Sequence, residues 1–213
     1  MNKLLQIPKN NLGNYIIPRD VVGGLAVDIG SNVGSFLKQS YHIFSEIYYY
    51  EPIKACFDIC QDFSQNHSHI HGYNNAVSKT RGLCTMLMHE NRLAGSSAAS
   101  CLGEEIISLE HNSDNNSIND VYSITLQDIY SHVNFRNIDY CKCDCEISEY
   151  DIFMNQDLTP INYLAIEMHW QMGEQKFNEL IDYILTTHDL IYGNKSFPGR
   201  FDNRELLLKR KVI

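Results

Sequence analysis

Short apolar runs that end in polar residues alternate along this chain with stretches whose apolar positions recur every three or four residues. LAVDIG (25–30) is the first such run, and its unbroken apolar character predicts a parallel strand covered on both faces. VGSFLKQSYH (33–42) follows with helical spacing, and EIYYYE (46–51) has the aromatic content that strands favour. Pro52 then opens a helix, IKACFDICQDF, with Ile53, Phe57 and Cys60 at helical spacing. HIHGYNNAVS (69–78) predicts a third strand and LCTMLMH (83–89) a further one. TLQDIYSHV (125–133) predicts a short helix, NIDYCKCD (137–144) a strand, EISEYDIFMNQD (146–157) a helix and INYLAIEMHW (161–170) a strand. EQKFNELIDYILTTH (174–188) is amphipathic, with Phe177, Leu180, Ile181, Ile184 and Leu185 on one face. DLIYGN (189–194) and ELLLKRKVI (205–213) close the chain as two strands.

Strands alternating with helices predict an α/β fold, a parallel sheet with helices on both faces. The last two strands are joined by only about ten residues, too few for a parallel crossover, so they are expected to run antiparallel. With 213 residues and no internal repeat, the chain is expected to form a single domain over 1–213. Residues 1–20 precede the first buried strand as an N-terminal extension. Residues 90–120 are rich in Asn, Ser and Gly, which predicts a long loop suited to act as a lid.

Hydrophobic residues at 44% and charged residues at 20% give an ordinary globular mix, which removes disorder as the default. No run of 18 uncharged apolar residues is present, and the first twenty residues lack the apolar core of a signal peptide. A cytoplasmic protein without a membrane partner is expected. The formal net charge of −9 repels phosphate backbones, which argues against nucleic acid. The short basic run Lys209-Arg210-Lys211 reads as a solvated strand end. Seven cysteines without a secretory signal are expected as reduced thiols. Cys141, Cys143 and Cys145 alternate and so share one strand face, where they read as small core residues. His67, His69 and His71 also alternate and read as a solvated strand entry.

Chemistry concentrates where open parallel sheets bind ligands, beyond the carboxyl ends of the strands. The first strand runs into Asp28-Ile-Gly30-Ser-Asn32-Val-Gly34, where Gly30 and Gly34 allow a tight turn and close approach of a ligand. Roughly twenty residues on, Glu51 ends the second strand, where a carboxylate can accept both hydroxyl hydrogens of a ribose. The spacing is DxGxxxG rather than GxGxxG. An acid in the turn disfavours a pyrophosphate and favours a ligand with an amino group and a sulfonium, which fits S-adenosylmethionine and not a nicotinamide dinucleotide.

The segments VDIGSNVGSF, YYYEP, NNAVS, SITLQDIY, IDYCKCDCEISEYDIF and YLAIEMHW resemble the FkbM-type S-adenosylmethionine-dependent methyltransferases, over about Ile17 to Lys211. Lys142-Cys-Asp144-Cys-Glu146-Ile-Ser-Glu149-Tyr150 is similar to that family's K-x-D-x-E-G-x-E-Y block, with Ile147 in place of its glycine. If that position needs a positive φ, a β-branched residue there is costly. The resemblance implies a class I methyltransferase (Rossmann-like) three-layer sandwich, whose mostly parallel seven-stranded sheet has an antiparallel last strand. It also implies methyl transfer to a hydroxyl, on a sugar, glycan or small natural product. Its cofactor-binding positions fall on Asp28, Gly30, Asn32, Gly34 and Glu51, with Asn75 at the adenine edge.

An alcohol must lose its proton to attack a methyl group, so the acceptor side needs a base. Asp144 ends the strand beside the expected methyl position, and Glu167 and His169 share one side of its neighbour. His169 suits the base by its ordinary titration range. The same three residues could instead hold a divalent cation, Mg²⁺ or Mn²⁺, which would lower the hydroxyl's pKa. Lys142 lies on the side of Asp144 and could pair with it, while Trp170 and Tyr150 could wall a sugar ring. The rival readings are a cofactor-binding partner subunit without turnover and methylation of a nitrogen. The segment after the fourth strand reads DCEIS, without the prolines typical of adenine N-methylation.

Overall fold

The computed structural model describes residues 4–8, 14–89, 116–199 and 203–212. Two short strands, β1 (Leu4–Pro8) and β2 (Asn14–Pro18), pair antiparallel ahead of the first buried strand, β3 (Leu25–Ile29). Helix α1 (Ser35–Ser40) starts later than its apolar spacing predicts, because Gly34 before it is left-handed at φ 77°. Strand β4 (Glu46–Tyr50), helix α2 (Lys54–Ser64) and strand β5 (Ile70–Tyr73) follow.

The predicted third strand is shorter than expected. At Asn74 the chain turns away, its side-chain amide donating to the carbonyls of Glu51 and Pro52. The following pair β6 (Ala76–Val77) joins a separate three-stranded sheet with β7 (Gly82–His89) and β8 (Asn116–Ile124), in the order β6-β8-β7. Strand β8 corrects the expectation of a loop over 90–120 for its last five residues. A polar segment becomes a strand there because β7 supplies an antiparallel partner, from Gly82↔Ser123 to His89↔Asn116, and pairing overrides composition. The expected lid otherwise falls on 90–115, outside the described residues.

Helix α3 (Leu126–His132) begins at a reciprocal capping box between Thr125 and Asp128. It leads to β9 (Ile138–Cys143) and then to α4 (Glu149–Phe153). That helix is shorter than its sequence suggests because Glu146 and Ile147 precede it at φ 49° and 91°, and Asn155 follows at φ 61°. Strand β10 (Ile161–His169), helix α5 (Glu174–Thr187), β11 (His188–Tyr192) and β12 (Asn203–Arg210) complete the order.

The main sheet has seven strands in the order β5-β4-β3-β9-β10-β12-β11. β12 runs antiparallel to both of its neighbours, as the short connection before it requires, and the other strands run parallel. This is the mostly parallel, Rossmann-like sheet expected from the sequence. Each face carries its own core. Val27, Ile29, Cys141, Cys143, Leu164 and Ile166 pack on one side with α5. Ala26, Tyr49, Tyr140, Tyr163 and Leu207 pack on the other with α1 and with Ile16 and Ile17 of β2. Alternation then sends Lys142, Asp144, Glu167 and His169 out on the face of Tyr140 and Tyr163, opposite the buried thiols. The six cysteines among the described residues are all free thiols. No described helix is long and apolar enough to cross a membrane.

Candidate functional site

The turn after β3 is built on left-handed residues at alternate positions, with φ of 78° at Gly30, 51° at Asn32 and 77° at Gly34. Glycine at 30 is required twice over. A Cβ there would sit 2.1 Å from the carbonyl oxygen of Asp144, in a conformation that side chains resist. The turn bends back so that the backbone N–H of Asn32 donates to Glu51 Oε2 at 2.7 Å. The N–H of Ile53 donates to the other oxygen, Oε1, at 2.8 Å. Glu51 is only 3% exposed, and burial pushes its carboxyl up to about 7 against the lowering effect of those two N–H groups.

A cleft of about 630 Å³ opens above these residues. Gly30, Asn32, Glu51 and Asn75 all line it, together with Asp144 and Glu146. Asn75 is held by donating from Nδ2 to the carbonyl of Tyr122 on β8. Asp28 and Gly34, expected among the ligand contacts, do not line this cleft. Gly34 instead sits under α1, where a Cβ would lie 3.1 Å from Cys60 Sγ. Asp28 is fully buried, 3.0 Å from the ammonium of Lys142, which donates to the carbonyl of Gly30 at 2.6 Å. Burial opposes the charge on Lys142, yet Asp28 and then Asp144 outweigh it and hold the ammonium well above the usual lysine range. Asp28, expected among the cofactor-binding residues, is thus paired with Lys142, through which it supports the turn.

The expected acceptor side does assemble. Asp144, Glu167 and His169 each bring an atom able to bind a metal within 4.8 Å of one another. Two further carboxylates join them that the sequence reading left without a role. Glu149 is fully buried, and its Oε1 accepts from the backbone N–H of Cys145 at 3.1 Å and lies 3.0 Å from His169 Nδ1. Glu146 places Oε2 at 3.3 Å from His169 Nε2. The left-handed pair Glu146 and Ile147 folds the chain back after β9, which brings Glu146 and Glu149 onto the same imidazole. The signal was present in the spacing K-x-D-x-E-x-x-E, but their convergence depends on that turn. Burial disfavours the charge on His169, but Glu149, Glu146 and Asp144 overcome it and raise its pKa to about 9. An imidazole so raised favours its protonated form at neutral pH, which departs from the ordinary titration range expected of His169. Burial also pushes Glu146 up to about 7; His169 opposes that rise and Asp144, Glu149 and Glu167 add to it.

A second cavity, of about 410 Å³, lies on the other side of Asp144. Tyr15, Tyr140, Ala165, Leu207 and Tyr192 give it an apolar body, and Asp144, Glu167 and Glu205 give it an acidic end. Trp170 and Tyr150 line neither cavity. Tyr150 instead donates to Glu179 on α5 at 2.8 Å.

The fold agrees with that of known proteins. The chain superposes on the crystal structure of methyltransferase FkbM from Methylobacillus flagellatus KT with a TM-score of 0.52 at 14% identity, covering 86% of this chain and 42% of that one. It thus spans less than half the length of that protein. An rRNA methylase from Streptococcus thermophilus superposes with a TM-score of 0.50 at 8% identity, covering 90% of both chains. The fibrillarin/Nop5p complex gives a TM-score of 0.50 at 10% identity, covering 88% of this chain and 72% of that one. These likenesses identify the class I methyltransferase fold. No curated protein matches by sequence. The sequence profile of the methyltransferase FkbM domain matches residues 28–194, from the start of the glycine turn to the end of β11. The chain belongs to the FkbM methyltransferase family.

Proposed function

We propose that the protein is an S-adenosylmethionine-dependent methyltransferase that methylates a hydroxyl of a sugar or another small molecule. The observation that carries this reading is the position of Asp144, which lines both cavities. One cavity has the features a methyl donor needs and the other holds an acidic cluster. The donor side fits the cofactor on its own geometry. Gly30 lets the turn pack against the Asp144 carbonyl and still line the cleft, and Glu51 and Asn75 line it as well. When bound, S-adenosylmethionine supplies an electrophilic methyl group on a sulfonium.

The chain's own residues do the rest. Glu51 accepts hydroxyl hydrogens of the ribose, and its two backbone donors fix its carboxylate in place. Glu149 orients the His169 ring through Nδ1. The acceptor's hydroxyl proton passes to the carboxylates at the cleft wall, Asp144 and Glu146, and such a base contributes about 10²- to 10⁴-fold. Three carboxylates in the second cavity, against one lysine already paired with Asp28, disfavour a phosphate-rich acceptor and favour a neutral polyol.

The test is transfer of tritium from methyl-labelled S-adenosylmethionine to a panel of sugars, glycans and hydroxylated natural products, with RNA and protein as further arms. Label in a hydroxylated small molecule, lost in Asp144→Ala, is expected. Label only in RNA or protein, or cofactor binding with no labelled product in any arm, would overturn the assignment.

A further inference from the structure

We propose that Asp144, Glu167 and Nε2 of His169 hold a divalent cation, and that the acceptor's hydroxyl is bound on that ion. The role given to the ion rests on the methyltransferase reading, whereas the site itself does not.

The histidine carries the first argument. Its ring is buried, and Nδ1 is committed to Glu149 Oε1 at 3.0 Å. A metal-bound imidazole characteristically gives its other N–H to a carboxylate, which fixes both tautomer and ring orientation. Nε2 is then the nitrogen left to face the cluster. Around it stand Glu146 Oε2 at 3.3 Å, Asp144 Oδ1 at 3.9 Å and Glu167 Oε1 at 4.0 Å, the last also accepting from Asn203 Nδ2 at 3.0 Å. The distances to Asp144 and Glu167 are too long for hydrogen bonds. An octahedral ion with bonds of about 2.1 Å holds neighbouring ligand atoms about 3.0 Å apart and opposite ones about 4.2 Å apart. The two spacings from Nε2 exceed that of neighbouring ligands, so an ion would draw Asp144 and Glu167 inward by up to about 1 Å.

Glu149 is an independent observation. It is fully buried, and its second oxygen, Oε2, has no hydrogen-bond partner among the described residues. A buried carboxylate with half of its acceptor capacity unused is costly unless positive charge lies close by. Without an ion that charge is the imidazolium at 3.0 Å, and an ion that displaced the proton from Nε2 would keep positive charge on the ring that Glu149 holds.

The position suits the chemistry. Asp144 faces both cavities, Glu146 the donor cleft and Glu167 the second cavity, so an ion here sits in the partition between them. Three protein ligands leave about three of six positions for acceptor oxygens and water. A hydroxyl bound there is acidified and aimed at the donor cleft, and Glu146 is placed to take its proton. One nitrogen with two carboxylates suits Mn²⁺ better than Mg²⁺, which prefers an all-oxygen, largely hydrated shell.

The test uses the untagged full chain, stripped with chelator and titrated with Mn²⁺, with free ion followed by electron paramagnetic resonance. Calorimetry with S-adenosylhomocysteine, in chelator, is run in parallel. One saturable Mn²⁺ per chain is expected. Its affinity should fall at least about tenfold in Glu167→Gln, and about 10- to 100-fold in Glu149→Gln, whose side chain holds the histidine and the Cys145 N–H but is not a proposed ligand. Asp144→Asn/Glu167→Gln should abolish binding while keeping the wild-type circular dichroism spectrum. Absence of saturable Mn²⁺ binding, or unchanged binding in that folded double variant, would overturn the ion site. If the cofactor product binds and Mn²⁺ does not, the ion site falls and the methyltransferase reading stands. If Mn²⁺ binds and the cofactor product does not, the reverse holds.

Discussion

Asp28 and Lys142 stand side by side on neighbouring parallel strands, 3.0 Å apart and both shut away from solvent. The two oxygens of Asp28 accept no hydrogen bond among the described residues, so proximity to the ammonium is what compensates its charge. Removing one member of such a pair leaves the other buried and uncompensated, which typically costs about 3–5 kcal/mol. Lys142→Met should therefore destabilise the protein by that order in urea unfolding. Asp28→Asn/Lys142→Met should recover part of the loss. A Lys142→Met protein as stable as wild type would show that the pair does not support the glycine turn.

Glu51 should matter to binding. A hydrogen bond to a charged group is worth about 1.5–3 kcal/mol, so Glu51→Ala should weaken S-adenosylmethionine binding by at least about tenfold in a calorimetric titration. Unchanged affinity would remove Glu51 from the site.

Glu51 also gives the protein a pH dependence with a definite sign. Its folded pKa is raised from 4.5 to about 7, so the folded state holds that proton more tightly than the unfolded chain. Its contribution to stability is fully present below about pH 4.5 and is lost as pH rises through about 7, on the order of 3 kcal/mol at most. Cofactor affinity should move the other way and strengthen between about pH 6 and 8, as the ionised carboxylate becomes available to the ribose. Calorimetry across that range should show this slope in wild type and a flat profile in Glu51→Gln. A flat wild-type profile would refute the prediction.

Ile147, at φ 91°, sits in backbone that costs an L-residue about 1–2 kcal/mol and glycine little. Glycine is ordinarily less favourable than alanine, but at this position the order should invert. Ile147→Gly should be more stable than Ile147→Ala by about 1 kcal/mol in thermal or urea unfolding. Alanine proving the better tolerated would mean that this turn relaxes.

Much of the fold was legible because parallel strands buried on both faces read as unbroken apolar runs, as in LAVDI and INYLAI. β8 was not, since NSINDVYSI becomes a strand only through β7. The cleft residues Gly30, Asn32, Glu51 and Asn75 were legible because strand ends and glycine spacing set them locally. The partner of Lys142 was misread: Asp144 shares its strand face, but cross-strand register brings Asp28 closer. Glu146 and Glu149 escaped for a similar reason. Their meeting on His169 depends on a left-handed turn that only glycine would have announced, and isoleucine stands there instead.

The strand pair at the start of the chain does more than cover one face of the sheet. It contributes Tyr15 to the rim of the second cavity, while Tyr192 and Glu205 arrive from the opposite sheet edge. Glu205 stands directly across from Glu167 in the β10–β12 register, so this rim borders the histidine cluster. On the proposed methyltransferase reading, Tyr15 and Tyr192 would shape which acceptor enters, whereas a change at Glu205 would also reach the acidic cluster.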